Sequence, residues 1–486
     1  MGAITMIDGY KTDHRRQYPE GTEYVYSNWT PRSSRIEGVD EVVFVGLQYF
    51  LDKYLGEEFG KFFEGDIDVI AEAYTNRLNG YLGPNQIGNQ HIRDLHALGY
   101  LPLVFKALPE GTSVPLRVPM LTVENTNPNF GWLVNYLETI MSSVLWMPMT
   151  SATIAKRMRG LLDNWARLTG SPAEFVDWQG HDFSFRGMPG LEAACLSGLG
   201  HLTQFTGTDT IPAIEFVEQY YGAPTADYLI GGSVAATEHS VMCAGGEDDE
   251  KATFERLIGL YPSGILSVVS DTWDLWKVLT ETIPGLRDNI MARDGKLVIR
   301  PDSGDPSDIL CGDPNAPVNS PAAAGVIELL WNTFGGTTTI TGHMLLDSHI
   351  GVIYGDAINY DRANDILTRL ETKGFASGNV VFGMGSYGYQ YQTRDTFGFA
   401  MKATNVVING ESKAIFKKPV TDDGMKNSLK GRISVMRDVI TGQLTATDEI
   451  EADSLEAKYS LLTTVWEDGK FNERWDIAEV RELAHK

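Results

Sequence analysis

Two rhythms of apolar and polar positions divide the chain. Over the first 150 residues, short β-rich runs such as Glu23–Trp29 and Leu103–Leu108 lie between Pro-rich turns, and Val42–Leu55 carries the apolar spacing of a helix. A mixed α/β segment is predicted over 1–150. Thr150 or Ser151 is placed to cap the helix that follows, in which Ile154, Met158, Leu161, Leu162, Trp165 and Leu168 share one face and Gly170 ends the run.

From about residue 175 a short apolar run repeatedly ends in Gly or charged residues and gives way to a helical pattern. Phe175–Trp178 leads to His181-Asp182-Phe183 and a helix near 190–205, and Ile265–Val269 leads to Ser270-Asp271 and a helix through Leu275, Val278 and Leu279. Leu297–Ile299 leads to Arg300-Pro301-Asp302-Ser303-Gly304, Ile350–Ile353 to Gly355-Asp356 and a helix over 359–373, and Val380–Phe382 to Gly383-Met384-Gly385-Ser386. Successive strand–loop–helix units predict a parallel sheet, wound either into a barrel or into an open doubly wound sheet. Ligands bind at the C-terminal strand ends in both. A closed ring lets five polar strand ends converge on one pocket, so the pattern favours an α/β barrel over 151–399. After about residue 400 the chain returns to β-like runs, Thr404–Ile408 and Arg432–Met436, and 400–486 is expected to join 1–150 in a β-rich domain built from both chain ends.

Composition narrows the function classes. At roughly 150 residues per domain, 486 residues imply two or three domains, and 43% hydrophobic residues suffice for a large core. The formal charge of -24 argues against general binding to nucleic acid or to an anionic membrane surface. No apolar stretch of about 18 residues predicts a membrane span, and Cys195, Cys243 and Cys311 are too scattered for a disulfide framework. A cytoplasmic setting is expected.

Arg300 and Asp302 on a rigid Pro-Gly turn suit a ligand with an anionic group and hydroxyls, as well as a plain ion pair. Gly355-Asp356 is a second sugar-binding candidate. Gly383-Met384-Gly385-Ser386-Tyr387-Gly388 could present backbone N–H groups to a phosphate through the dihedrals glycine permits. Downstream, Arg394, Lys402, Lys413, Lys417, Lys418, Lys426, Lys430 and Arg432 stand against only Asp395, Glu411, Asp422 and Asp423, a basic island that fits a polyphosphate or a solvated face. His239 follows Glu238 in a small-residue turn and reads as structural or catalytic. No two histidines have metal-ligand spacing, whereas abundant carboxylates and a phosphate substrate favour Mg²⁺.

Asp8-Gly9-Tyr10-Lys11, Gly46-Leu47-Gln48-Tyr49, Val123-Glu124-Asn125-Thr126, His181-Asp182-Phe183 with Arg186-Gly187, Gly207-Thr208-Asp209-Thr210, Glu238-His239-Ser240, Ser267–Asp271, Arg300–Gly304 and Lys430-Gly431-Arg432 occur in one order along nearly the whole chain. In that order they resemble the nicotinamide phosphoribosyltransferase family. The resemblance implies a type II phosphoribosyltransferase fold, an irregular α/β barrel with a β-rich domain. It also implies synthesis of nicotinamide mononucleotide and pyrophosphate from nicotinamide and phosphoribosyl pyrophosphate (PRPP), at two sites shared across a homodimer. Phe183 and Tyr10 of the partner subunit match the rings that sandwich the pyridine, and Asp209 matches the carboxylate that accepts from the carboxamide. Arg186, Ser267 and Arg300 match base- and phosphate-side contacts, and Asp302 and Asp356, with Gly355, match the ribose site. Gly385 and Ser386 match the 5′-phosphate loop, and Arg32, Arg394, Lys402 and Lys417 match the cations around pyrophosphate. His239 matches a histidine phosphorylated by ATP, which enters as co-substrate beside Mg²⁺, whose ligands the resemblance does not name. His239, Asp302 and Asp209 form the expected catalytic set. The sequence departs from the family pattern at Ser184, Phe185, Met384, Tyr387 and the loop Cys311–Pro321. Two other readings of the scaffold are an enzyme that uses nicotinate and a catalytically silent binding protein.

Overall fold

The computed structural model describes residues 2–419, 421 and 428–486. Lys426, Asp422 and Asp423 of the basic island lie outside the described residues. The chain divides into two compact units, one of Met1–Thr153, Phe216–Tyr228 and Gln392–Lys486, the other of Ile154–Glu215 and Leu229–Tyr391.

The second unit carries a six-stranded parallel sheet in the order Gly180–Asp182, Val380–Met384, Ile350–Tyr354, Asp294–Arg300, Ser263–Val269 and Ala235–Ala236. Isolated bridges extend the pairing from Asp182 to Thr208 and from Gly207 to Gly232, three residues before the last strand begins. The sheet therefore curls into an irregular barrel. Period-2 alternation makes both its core and its lumen. On Asp294–Arg300, Leu297 and Ile299 are fully buried among the packing helices, while Lys296, Val298 and Arg300 line a central cavity of about 600 Å³. Leu266 and Val268 likewise face the core, and Ile265 and Ser267 face the lumen.

The first unit is built on a seven-stranded antiparallel sheet. Its strand Thr22–Thr30 lies between Leu121–Asn125 and Ala400–Ile408, so the two ends of the chain share one sheet. Val25 pairs with Val406 and Trp29 with Met401, and both Val25 and Trp29 are fully buried, as suits β-branched and aromatic residues at the centre of a sheet.

Several local expectations are corrected. Phe175–Trp178 is not a strand: it is helical, and the strand begins at Gly180, where Phe205 packs so closely that a Cβ would lie 2.8 Å from its ring. Thr150 and Ser151 cap nothing, because they lie inside one helix, Glu138–Thr169, whose apolar face already includes Met141, Val144 and Leu145. Thr150 Oγ1 instead donates to the Trp146 carbonyl at 2.7 Å. In the loop region after 310, Cys311 closes the helix Pro306–Cys311 and Pro321 opens Pro321–Ala324.

Val42–Leu55 is likewise no single helix. Glu41–Val43 is a strand paired with Ser113–Pro115, and helix starts only at Leu47, after Gly46 at φ 104°. The cause is a carboxylate distant in sequence. Glu110, fully buried, accepts from the Gly46 N–H at 2.7 Å, the Gln48 N–H at 2.6 Å and the Tyr221 hydroxyl at 2.7 Å. These bonds occupy donors that a helix start leaves unpaired. Burial nevertheless pushes the Glu110 carboxyl up to about 6 from 4.5, the three donors opposing it.

The folded chain thus holds this proton more tightly than the unfolded chain. Its contribution to stability is full below pH 4.5 and is lost as pH rises through about 6. Glu110→Gln, which turns an NH₂ toward backbone donors, should cost about 1–3 kcal/mol. Thermal melts of both proteins across about pH 4 to 7 check this, and the gap between wild type and variant should narrow toward the neutral end.

Candidate active site

The C-terminal ends of the parallel strands deliver most of the candidate residues to one end of the barrel. Phe183 follows Gly180–Asp182, Arg300 ends its own strand, Gly355-Asp356 follows Ile350–Tyr354, and Gly385-Ser386 follows Val380–Met384. His239 opens the helix His239–Gly245 after the short strand Ala235–Ala236. His181, Phe183, Asp209, Ser233, Ser267 and Arg300 all line the central cavity.

At the rim, Asp209 Oδ1 accepts from His181 Nε2 at 2.9 Å and from the Ser233 hydroxyl at 2.6 Å. Burial disfavours its charge, but those two hydrogen bonds and the charge of Arg300 prevail and hold the carboxyl below its ordinary value. The result is a fixed negative charge beside an apolar lumen. Phe183 supplies a flat ring, with His181 at a centroid distance of 5.0 Å and the Arg300 guanidinium 5.3 Å from the ring centre. The ring rests on two glycines, since a Cβ at Gly355 would meet it at 2.9 Å and one at Gly383 at 2.3 Å.

Asp302 and Arg300 form an ion pair at 3.4 Å. The turn carrying them is gripped by Asp271, whose Oδ2 accepts from the Asp302 N–H at 2.8 Å and the Ser303 hydroxyl at 2.5 Å. His239 Nε2 stands 3.9 Å from Asp302 Oδ2 and 4.0 Å from Asp271 Oδ1, and its Nδ1 is 3.2 Å from Thr272 Oγ1. Tyr354 donates to the Gly304 carbonyl at 3.0 Å, and its phenol is pushed far up by burial and by Asp356, Asp271, Asp302 and Asp305 around it. Buried Asp271 Oδ1 and Arg300 Nε have no hydrogen-bond partner among the described residues. Both are polar atoms that a ligand can satisfy.

Among the described residues no group of three or more His, Cys, Asp or Glu side chains forms a cage for a metal ion. The carboxylates of Asp271, Asp302 and Asp356, gathered around Tyr354, are hard oxygen donors of the kind Mg²⁺ takes.

The Gly-rich turn differs from expectation in its backbone. Gly383, Gly385 and Gly388 all lack positive φ, so no left-handed nest forms. Gly383 matters for space under Phe183, and Gly385 precedes the four-residue helix Ser386–Tyr389. Arg186 is exposed in the turn Phe185–Gly187, with Ser184 buried behind it.

Five candidates, Tyr10, Arg32, Arg394, Lys402 and Lys417, belong to the first unit. Tyr10 is 61% exposed. Burial lowers the Lys402 pKa, Glu138 opposes this, and Arg32, Lys417 and Lys11 lower it further, which places four cations within electrostatic reach of one another. Arg32 Nε donates to the Gly398 carbonyl at 2.7 Å, and Arg394 pairs with Asp395 at 3.1 Å. Ser233, the role of Asp271 and the lumenal Lys296 were not among the sequence candidates. Asp271 did lie in a strand-end motif, whereas Ser233 carries no local signal.

Residues 178–461 match the model of the nicotinate phosphoribosyltransferase (NAPRTase) family, and residues 3–102 match the N-terminal domain of nicotinamide phosphoribosyltransferase. A nicotinamide phosphoribosyltransferase of Acinetobacter baylyi is 52% identical over 447 residues, covering 89% of this chain and 88% of the relative. One from Mycoplasma pneumoniae is 36% identical over 444 residues, covering 88% and 94%. Among solved structures, the nicotinate-nucleotide pyrophosphorylase of Pyrococcus furiosus superposes with a TM-score of 0.59 at 15% identity, covering 99% of this chain and 94% of that one. Human nicotinic acid phosphoribosyltransferase gives 0.53 at 16% identity, covering 98% and 92%. The barrel is thus the type II phosphoribosyltransferase fold.

Proposed function

The chain belongs to the nicotinamide phosphoribosyltransferase family, and from that premise we propose that it joins nicotinamide to the ribose of PRPP, forming nicotinamide mononucleotide and releasing pyrophosphate in NAD salvage. The carrying observation is the ionised Asp209, clamped by His181 and Ser233 at the mouth of an apolar cavity next to Phe183 and Arg300. A pyridine ring stacks on Phe183 while its carboxamide N–H donates to Asp209. Asp302 and Asp356 take the ribose hydroxyls, the Gly385-Ser386 turn takes the 5′-phosphate, and Arg186, Ser267 and Arg300 complete the contacts.

The pyridine nitrogen then bonds to ribose C1 as the C1–O bond to pyrophosphate breaks, and pyrophosphate leaves with the electron pair. No proton has to move. Positioning and charge carry the rate, with Arg32, Arg394, Lys402 and Lys417 receiving the departing anion. Asp302 or Asp356, together with phosphate oxygens, would hold Mg²⁺, which when bound neutralises charge on the leaving group. His239 takes the γ-phosphoryl of ATP on a ring nitrogen, its N–P bond replacing the P–O bond to ADP. The neighbouring Asp302 and Asp271 support that role, since they can hold the imidazole in place. Tyr10, exposed in this chain, reaches the site of a second subunit in a homodimer. Three free cysteines suit a cytoplasmic setting, and among the described residues no helix is long and apolar enough to cross a membrane.

The nicotinate reading draws on the family model over 178–461, and Asp209 weighs against it. A nicotinate carboxylate about 4 Å from Asp209 would cost roughly 4 kcal/mol at an effective dielectric near 20. After partial solvation a preference for nicotinamide of at least about tenfold to a hundredfold is expected. Competitive kinetics with both bases test it, and Asp209→Asn should narrow the preference. Equal use of the two bases by wild type would favour the nicotinate enzyme, and no product with either would favour the silent binder.

For His239, the expected outcome is that His239→Ala loses stimulation by ATP but retains weak synthesis without it. Undiminished stimulation in that variant would exclude the phosphoryl role. The shared site is tested by mixing Tyr10→Ala with Asp302→Ala subunits. Hybrid dimers contain one intact site and should regain activity that neither parent has, whereas verified subunit exchange without recovery would count against donation of Tyr10.

A further inference from the structure

Behind the site lies a buried histidine that no step of the reaction uses. His201 sits in the helix Leu191–Leu202 and is wholly buried, with its ring against Phe205 at 5.2 Å. Its Nε2 is 2.8 Å from the Gly207 carbonyl, and its Nδ1 is 2.6 Å from the Tyr389 hydroxyl. The two partners belong to different halves of the site. Gly207 stands two residues before Asp209, and its carbonyl also accepts from the N–H of Asp182, the residue before Phe183, at 3.1 Å. Tyr389 ends the helix that starts at Ser386, and its N–H donates back to the Gly385 carbonyl at 3.0 Å.

Proton directions follow from the atoms. A carbonyl only accepts, so Nε2 carries hydrogen toward Gly207. In the neutral imidazole Nδ1 is then an acceptor, and Tyr389 supplies its one hydroxyl hydrogen. Burial keeps that phenol protonated. Both ring nitrogens are thus committed, one to the base side and one to the phosphate side. Neither bond touches a substrate atom.

We propose that His201 is a positioning residue that sets the base-binding segment 207–209 and the phosphate-binding turn 385–389 from a single ring, through two separable hydrogen bonds. The proposal rests on the reading that Asp209 meets the base and that Gly385-Ser386 meets the 5′-phosphate. Separability is what distinguishes it from a general packing role. In His201→Gln the amide nitrogen can occupy the place of Nε2, which keeps the bond to Gly207 and loses Tyr389. In His201→Asn the amide oxygen can occupy the place of Nδ1, which keeps Tyr389 and loses Gly207.

The experiment measures KM for nicotinamide, KM for PRPP and kcat in wild type, His201→Gln, His201→Asn and Tyr389→Phe, with calorimetric binding of ribose 5-phosphate as an independent probe of the phosphate turn. His201→Gln and Tyr389→Phe should raise KM for PRPP and weaken ribose 5-phosphate about tenfold, leaving KM for nicotinamide within about twofold. His201→Asn should do the reverse. If the two KM values move by the same factor in every variant, or none moves beyond about twofold, the positioning role is overturned. Should circular dichroism show that the His201 variants do not fold, Tyr389→Phe decides alone: a rise confined to the phosphate side supports the proposal, and an equal rise or none overturns it. Wild type that neither forms product nor binds ribose 5-phosphate would overturn the parent reading itself, before any variant is compared.

Discussion

Phe183 lies so close to Gly355 and Gly383 that a Cβ on either would come within 2.9 or 2.3 Å of its ring. This contact joins three strand ends through one side chain, because the ring follows Gly180–Asp182, Gly383 lies in the neighbouring strand Val380–Met384, and Gly355 follows the next strand, Ile350–Tyr354. Arg300, from a fourth strand, places its guanidinium 5.3 Å from the ring centre. The placement of this flat ring is therefore a product of backbone approach, and any side chain at those glycines would displace it. Register between parallel strands does the rest, since it sets Phe183, Arg300, Asp356 and Ser386 at one end of the sheet.

Electrostatics then separates functions within a strongly acidic chain. Asp209 stays ionised against the cost of burial because two donors and a guanidinium face it. The carboxylates of Asp271, Asp302 and Asp356 gather around Tyr354. In the other unit the chain collects Lys11, Arg32, Lys402 and Lys417, where burial and mutual repulsion lower the Lys402 pKa. A net charge of -24 thus coexists with a local cluster of cations, since screening confines each cluster to its own neighbourhood.

What the sequence by itself determined was the part written in local periodicity. Apolar runs at Ile265–Val269 and Leu297–Ile299 that end in polar residues were enough to anticipate a parallel barrel and to mark Arg300 and Asp302 as candidates, whereas Phe183 and Asp209 were named only through the family resemblance. Where the controlling partner is remote, local pattern failed. Val42–Leu55 has helical spacing, yet Glu110 captures the N–H groups of Gly46 and Gln48 and starts the helix late. Phe175–Trp178 has strand-like residues, yet the strand begins at Gly180, where the chain passes over Phe205. Ser233 had no local mark, and Asp271 was marked only as a strand-end residue, because a hydroxyl or a carboxylate becomes a clamp only when folding sets it 2.6 or 2.8 Å from its partner. Only the tertiary structure decided those pairings. The reason is physical: hydrophobic periodicity specifies which face of an element is buried, while a hydrogen bond depends on the position of two atoms that the chain separates by tens of residues.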